Sequence, residues 1–254
     1  MQPNLSDPGL WLAGSLVAAV LFTNITWLVL RWPAAARLAS RDGLKPLHWL
    51  IVSLFLLLPP MLAWRYGALS LSFMGIAELD WVGTILSGGL PAVMVAGLLL
   101  FGWSAYRRHV GFSWEQEGSA RNLAPAWRAF LDAALLQWHW AFYRASAIAW
   151  LIGLPPDAAL ARGVLSLGGA WQNDPLYWGS WLGMTAAAME WVLNPFARRA
   201  LRRPGLSELA ILRAVVAIAT TALFVITRNF WLSLACHCVV EVVIARSRSS
   251  APAN

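Results

Sequence analysis

Charge is what this chain has least of. Of its 254 residues only 12% are charged, while 59% are hydrophobic, and mean hydropathy is +0.59. Soluble domains carry roughly 25% charged residues, so a soluble globular protein is excluded. A nucleic-acid partner is excluded with it, because the net charge of +7 belongs to short loops between apolar runs rather than to a basic soluble domain. Cysteine is nearly absent. Cys236 and Cys238 are the two present, and on a helix they sit too close for an easy disulfide. No basic region precedes the first apolar run, MQPNLSDPGLW, so no cleavable signal peptide is expected. No repeat of 20–50 residues is visible, and no inverted repeat supports a transporter.

What remains is a polytopic membrane protein, all-α, because backbone polar groups at membrane depth must be satisfied within a segment. Seven apolar segments are expected, at about 9–30, 47–64, 81–105, 126–153, 175–194, 206–227 and 229–245. Pro59 and Pro60 are expected to kink or break the second, and Gly88, Gly89 and Pro91 to break the third. Asn24 and Thr26 are expected to bond a neighbouring helix. Residues 157–170 read as a short interfacial or re-entrant helix. Arginines cluster at 31–41, 107–108, 198–203 and 246–248. Seven spans with the N-terminus outside put these loops and the C-terminus on the cytoplasmic side, as basic loops prefer. They also favour anionic membrane lipid as a partner. The 17 Trp residues suit the two interfacial belts. Three stretches follow: 1–125, three membrane helices with a cytoplasmic loop; 126–245, the core helices; and 246–254, a disordered basic tail.

Three helices of the core stretch offer five ionisable groups at overlapping depth: His139 and Arg144 in segment four, Glu190 in segment five, His237 and Glu241 in segment seven. His237 and Glu241 are one helical turn apart and share a face. Isolated charges there would cost several kcal/mol each, so mutual pairing is expected. One salt bridge would be enough for cohesion, and five such groups point to a site. Two His and two Glu are also a fair set for a divalent metal held by His139, Glu190, His237 and Glu241, although H-E-x-x-H is missing. No organic cofactor is expected. His48 and His109 read as interfacial, and Arg128 with Asp132 as a surface pair.

The end of the chain, TTALFVITRNFWLSLACHCVVE, resembles the final motif of the CPBP family (CAAX protease and bacteriocin-processing enzymes, also called Abi). There an apolar helix, a T-x-N-[LF]-W hinge and a second helix bearing H-x-x-x-[ND] follow one another. Here the hinge is Thr227 to Trp231, and the pair is His237 with Glu241. HWAFYR, His139 to Arg144, has the shape of the family's E-E-x-x-x-R, with His139 and Trp140 in place of the glutamates. MTAAAMEWVLNP corresponds to its F-x-x-x-H motif, with Glu190 in place of the histidine. The resemblance spans about residues 126–245. It implies a glutamate-type intramembrane endopeptidase, acting in the bacterial cytoplasmic membrane on a membrane-embedded or lipid-modified peptide. With the residue types exchanged, Glu190 becomes the general base and His139 its partner. His237 serves as proton donor or oxyanion partner, Glu241 orients His237, and Arg144 matches the motif arginine. The exchange equally suits a relative of the same fold that no longer cleaves and acts as a binding or assembly subunit.

Overall fold

The computed structural model describes residues 4–39, 44–110, 126–153, 174–203 and 206–249. The expected interfacial helix at 157–170, most of the polar loop after α4 and the end of the C-terminal tail lie outside them. Nine helices form among the described residues, with no strand: α1 (Pro8–Val29), α2 (Pro33–Ala39), α3 (Lys45–Arg65), α4 (Trp81–Val110), α5 (Ala126–Gly153), α6 (Pro175–Leu193), α7 (Pro195–Leu201), α8 (Leu206–Thr227) and α9 (Phe230–Ser249). Five of them, α1, α3, α4, α8 and α9, are long and apolar enough to cross a membrane. The chain is therefore an integral membrane protein. α5 and α6 are not among the five. α5 carries Arg128, Asp132, Gln137, His139 and Arg144, and α6 carries Glu190 among Trp and Gly residues.

Three helices begin the same way. Asp7, Asp174 and Asn194 each stand before a proline, and their side chains accept from the backbone N–H of Gly9, Tyr177 and Phe196. The side-chain oxygen satisfies an orphan donor, and the proline, which has no N–H to satisfy, sits at the first helical position. Two expected breaks do not occur. α3 runs unbroken through Pro59 and Pro60. α4 runs 30 residues through Gly88, Gly89 and Pro91. Gly88 instead serves packing: a Cβ there would stand 2.5 Å from the Thr227 methyl and 2.8 Å from Leu232 Cδ1. The missing side chain lets α4 approach the α8–α9 corner.

The chain divides into two compact units, each assembled from two separate stretches. The first comprises residues 1–74 and 138–202, and in it α1 packs with α3, α6 and α7. The second comprises 75–137 and 203–254, and in it α4, α8 and α9 pack together. Trp103, Leu212, Val216, Val240 and Ile244 form the apolar core of the second unit. α5 contributes its first twelve residues to the second unit and the rest to the first.

In the second unit the α8–α9 corner is tightly specified. Arg228 adopts a left-handed backbone conformation (φ 52°), which ends α8. The Asn229 side chain then accepts from the N–H groups of Trp231 (2.7 Å) and Leu232 (3.1 Å), starting α9. Phe230 donates its N–H to the Gly75 carbonyl at 2.9 Å. Gly75 has φ 71°, and a Cβ there would meet the Arg228 carbonyl oxygen at 2.6 Å, so no larger residue fits this turn.

Candidate functional site

The five ionisable groups singled out above fall into two sets, one in each unit. In the first unit, α6 packs on α5 with almost no side chain between them. A Cβ at Gly179 would lie 2.6 Å from Ile148 Cα, and one at Gly183 would lie 2.5 Å from the Arg144 Cα and backbone N. Gly179, Gly183 and the buried Ala187 recur every four residues. That spacing lets two helices come together backbone to backbone. Rising numbers on α6 meet falling numbers on α5, so the pair is antiparallel. Glu190, two turns beyond Gly183 on the same face, consequently arrives at His139 and Tyr143.

There the contacts are short. His139 Nε2 lies 2.9 Å from Glu190 Oε2, and the Tyr143 hydroxyl donates to the same oxygen at 2.7 Å. The His139 and Tyr143 rings meet edge to face, with centroids 4.7 Å apart. Tyr143 is completely buried. The His139 side chain is 3% exposed, whereas that of Glu190 is 19% exposed. Both hydrogen bonds converge on Oε2, and Oε1 accepts none from the described residues. The carboxylate is thus held by one oxygen and leaves the other for a further donor. A general base needs that geometry: a fixed carboxylate with one open lone-pair face within hydrogen-bond reach of a proton.

Arg144 is fully buried in the same unit, but it is not among the hydrogen-bond partners of Glu190. Its backbone is the surface on which Gly183 rests.

The second set lies on α8 and α9. His237 and Glu241 share a helix face as their spacing predicts. The His237 Nε2 to Glu241 Oε1 distance of 4.0 Å is too long for a hydrogen bond. The close partner of Glu241 is Arg213, whose Nε donates to the same Oε1 at 3.0 Å. The Arg213 side chain is 47% exposed and that of Glu241 10%. Nearby, Thr220 pairs with Gln137 at 3.4 Å and back-bonds to the Val216 carbonyl. The Ser233 hydroxyl donates to the Thr220 carbonyl at 3.1 Å. Cys236 and Cys238 are buried free thiols.

Neither set, among the described residues, gathers three His, Cys, Asp or Glu side chains close enough to hold a metal ion. Tyr143 and Arg213 are the site residues that the sequence reading passed over. Both had a signal. Tyr143 stands four residues after His139, on the same helix face. Arg213 is the one charged residue between Leu209 and Thr227.

No protein-family model, curated protein or solved structure matches this chain.

Proposed function

We propose that the first unit carries a hydrolytic site of the intramembrane endopeptidase type, with Glu190 as general base. The observation behind this reading is the clamping of Glu190 Oε2 by His139 and Tyr143, while Oε1 accepts from none of the described residues. His139 and Tyr143 hold Oε2 and orient the carboxylate, and Oε1 keeps the proton it removes from water. The substrate in this reading is a membrane-embedded or lipid-modified peptide, as the resemblance to CPBP enzymes implies. Arg144 supports the α5–α6 packing, and His237 and Glu241 serve the packing of the second unit.

The test is cleavage of a library of membrane-anchored, fluorescence-quenched peptides by the full chain in liposomes. Glu190→Gln should abolish cleavage while the melting curve is retained. Full activity in that variant would remove Glu190 from the mechanism. A second reading, a membrane binding or assembly subunit, draws on the same contacts, because a carboxylate with two buried donors also holds α6 to α5. It predicts no cleavage by the unaltered chain, and a stable complex with a membrane protein that survives Glu190→Gln.

This reading places seven spans in the membrane, with the N-terminus outside. At 1.5 Å per residue, α5 is about 42 Å long and α6 about 28 Å, against a hydrocarbon core of about 30 Å. Their antiparallel contact suits two consecutive crossings. Gly153 ends α5, and an added Cβ there meets nothing within 4 Å among the described residues. A Gly153→Cys variant should react with an impermeant thiol reagent from outside the cell. Reaction only from inside would reduce the count to the five most apolar helices.

A further inference from the structure

At the end of the first unit where α1, α6 and α7 meet, four arginines are exposed and unneutralised: Arg31, Arg198, Arg199 and Arg202. None forms an ion pair with a described residue. The surrounding sequence offers no acid, since neither 28–39 nor 191–203 contains Asp or Glu.

The cluster is built rather than merely accumulated. Asn24 donates to the Leu193 carbonyl at 3.3 Å, tying the end of α6 to α1. Asn194 then caps α7 through the Phe196 N–H at 2.9 Å, turning the chain out of α6. The turn brings the Phe196 ring edge-on against Trp27, with centroids 5.2 Å apart. Three residues later, on the same helix face, the Arg199 guanidinium lies over the Trp27 ring at 5.6 Å from its centroid. A guanidinium laid on an indole keeps its planar fork presented at the edge. Next to Arg31 and Arg202 in sequence stand exposed apolar residues: Trp32 is 68% exposed and Leu201 40%.

We infer that this face is a binding site for an anionic phospholipid. The headgroup phosphate would pair with the guanidinium groups, and the glycerol and upper acyl chain would cover Trp32 and Leu201. Charge complementarity favours an anion, and the exposed apolar residues beside the arginines favour a lipid over a soluble anion. Basic residues grouped beside a membrane helix attract anionic headgroups. This inference is independent of any hydrolytic activity at Glu190.

The test uses the full chain purified in detergent. Phosphatidylglycerol, phosphatidylcholine and inorganic phosphate are titrated separately, and both the lipid-induced shift in melting temperature and lipid retention in native mass spectrometry are recorded. Phosphatidylglycerol should bind in preference to phosphatidylcholine, and inorganic phosphate should not compete. Each arginine replaced by glutamine should weaken binding about fivefold. The combined Arg31→Gln, Arg198→Gln and Arg202→Gln variant should weaken it on the order of a hundredfold. Arg199→Gln alone, which also removes the contact with Trp27, covers the case in which the triple variant fails to fold. Equal binding of the two lipids, competition by inorganic phosphate, or unchanged affinity in the folded variants would each overturn the inference.

Discussion

The two units each set one helical glutamate against side-chain partners, and they do so differently. Glu190 is met by two aromatic rings, His139 and Tyr143, both on one oxygen, with both rings buried. Glu241 is met by a formal cation, Arg213, that is half exposed. The second arrangement resembles an ordinary ion pair at a protein edge, where exposure and side-chain entropy leave little net stabilisation. The first places a carboxylate where its hydrogen bonds are shielded and its orientation is fixed by tight helix packing. Burial of the partners, more than the presence of an acid in a membrane helix, distinguishes a candidate reactive group from a cohesive one.

The largest expected effect separates the two glutamates directly. Glu190→Gln should lower cleavage by roughly 10²–10⁴-fold, the usual contribution of a positioned general base. Glu241→Gln should leave cleavage within about threefold of the unaltered chain, a change under 1 kcal/mol. Equal loss in both variants, measured in the same liposome assay, would erase the functional distinction.

Next in size is the packing beneath the first site. Gly183→Val must fit a branched side chain where a single Cβ already meets the Arg144 backbone at 2.5 Å. Overpacking of this kind costs about 3 kcal/mol, and displacing α6 separates Glu190 from His139. The variant should therefore lose both stability and activity. Gly97→Ala, where an added Cβ meets nothing within 4 Å, is the control and should lose neither. If Gly183→Val melts like its parent, the close α5–α6 approach does not hold in the folded protein.

Smaller again is the pair in the second unit. Arg213→Gln should cost about 1 kcal/mol or less, because its guanidinium is half exposed. Unfolding measured for Arg213→Gln, Glu241→Gln and the double variant gives the coupling between them. A coupling of several kcal/mol would place this pair with the buried kind and weaken the contrast with Glu190.

Helix positions were legible from the sequence because hydrophobic runs and Asx-Pro starts are local signals. Segments read at 126–153 and 206–227 match α5 and α8 residue for residue. Proline and glycine do not interrupt α3 or α4, and at Gly88 the reason is physical. Helix-breaking tendency is a property of an isolated segment, whereas Gly88 answers to Thr227 and Leu232, which are remote in sequence. The meeting of His139 and Glu190 was expected, but its cause was not visible as such. It follows from the four-residue spacing of Gly179, Gly183 and Ala187, which sets the register of α6 on α5. His237 and Glu241 face each other at 4.0 Å, as i,i+4 neighbours do, while the shorter contact of Glu241 was not visible because Arg213 lies on another helix. The two discontinuous units were likewise beyond a linear reading, since each joins stretches more than 60 residues apart.

The smallest effect belongs to Asn24, whose expected bond to a neighbouring helix is present. Its amide donates to the Leu193 carbonyl at 3.3 Å and also to Val20 in its own helix at 2.8 Å. The shorter bond persists however α1 meets α6, so only the longer one is at stake between helices. Interhelical hydrogen bonds in membranes average about 0.6 kcal/mol. Asn24→Leu should therefore shift stability by no more than about that amount in either direction, measured by reversible unfolding in mixed micelles. Its position beside α7 makes the value informative. A loss above about 2 kcal/mol would mean that the Asn24 contact, rather than the Trp27–Phe196 ring pair, fixes the end of α6. The basic face around Arg199 would then depend on a single amide, and Asn24→Leu would release anionic lipid together with stability.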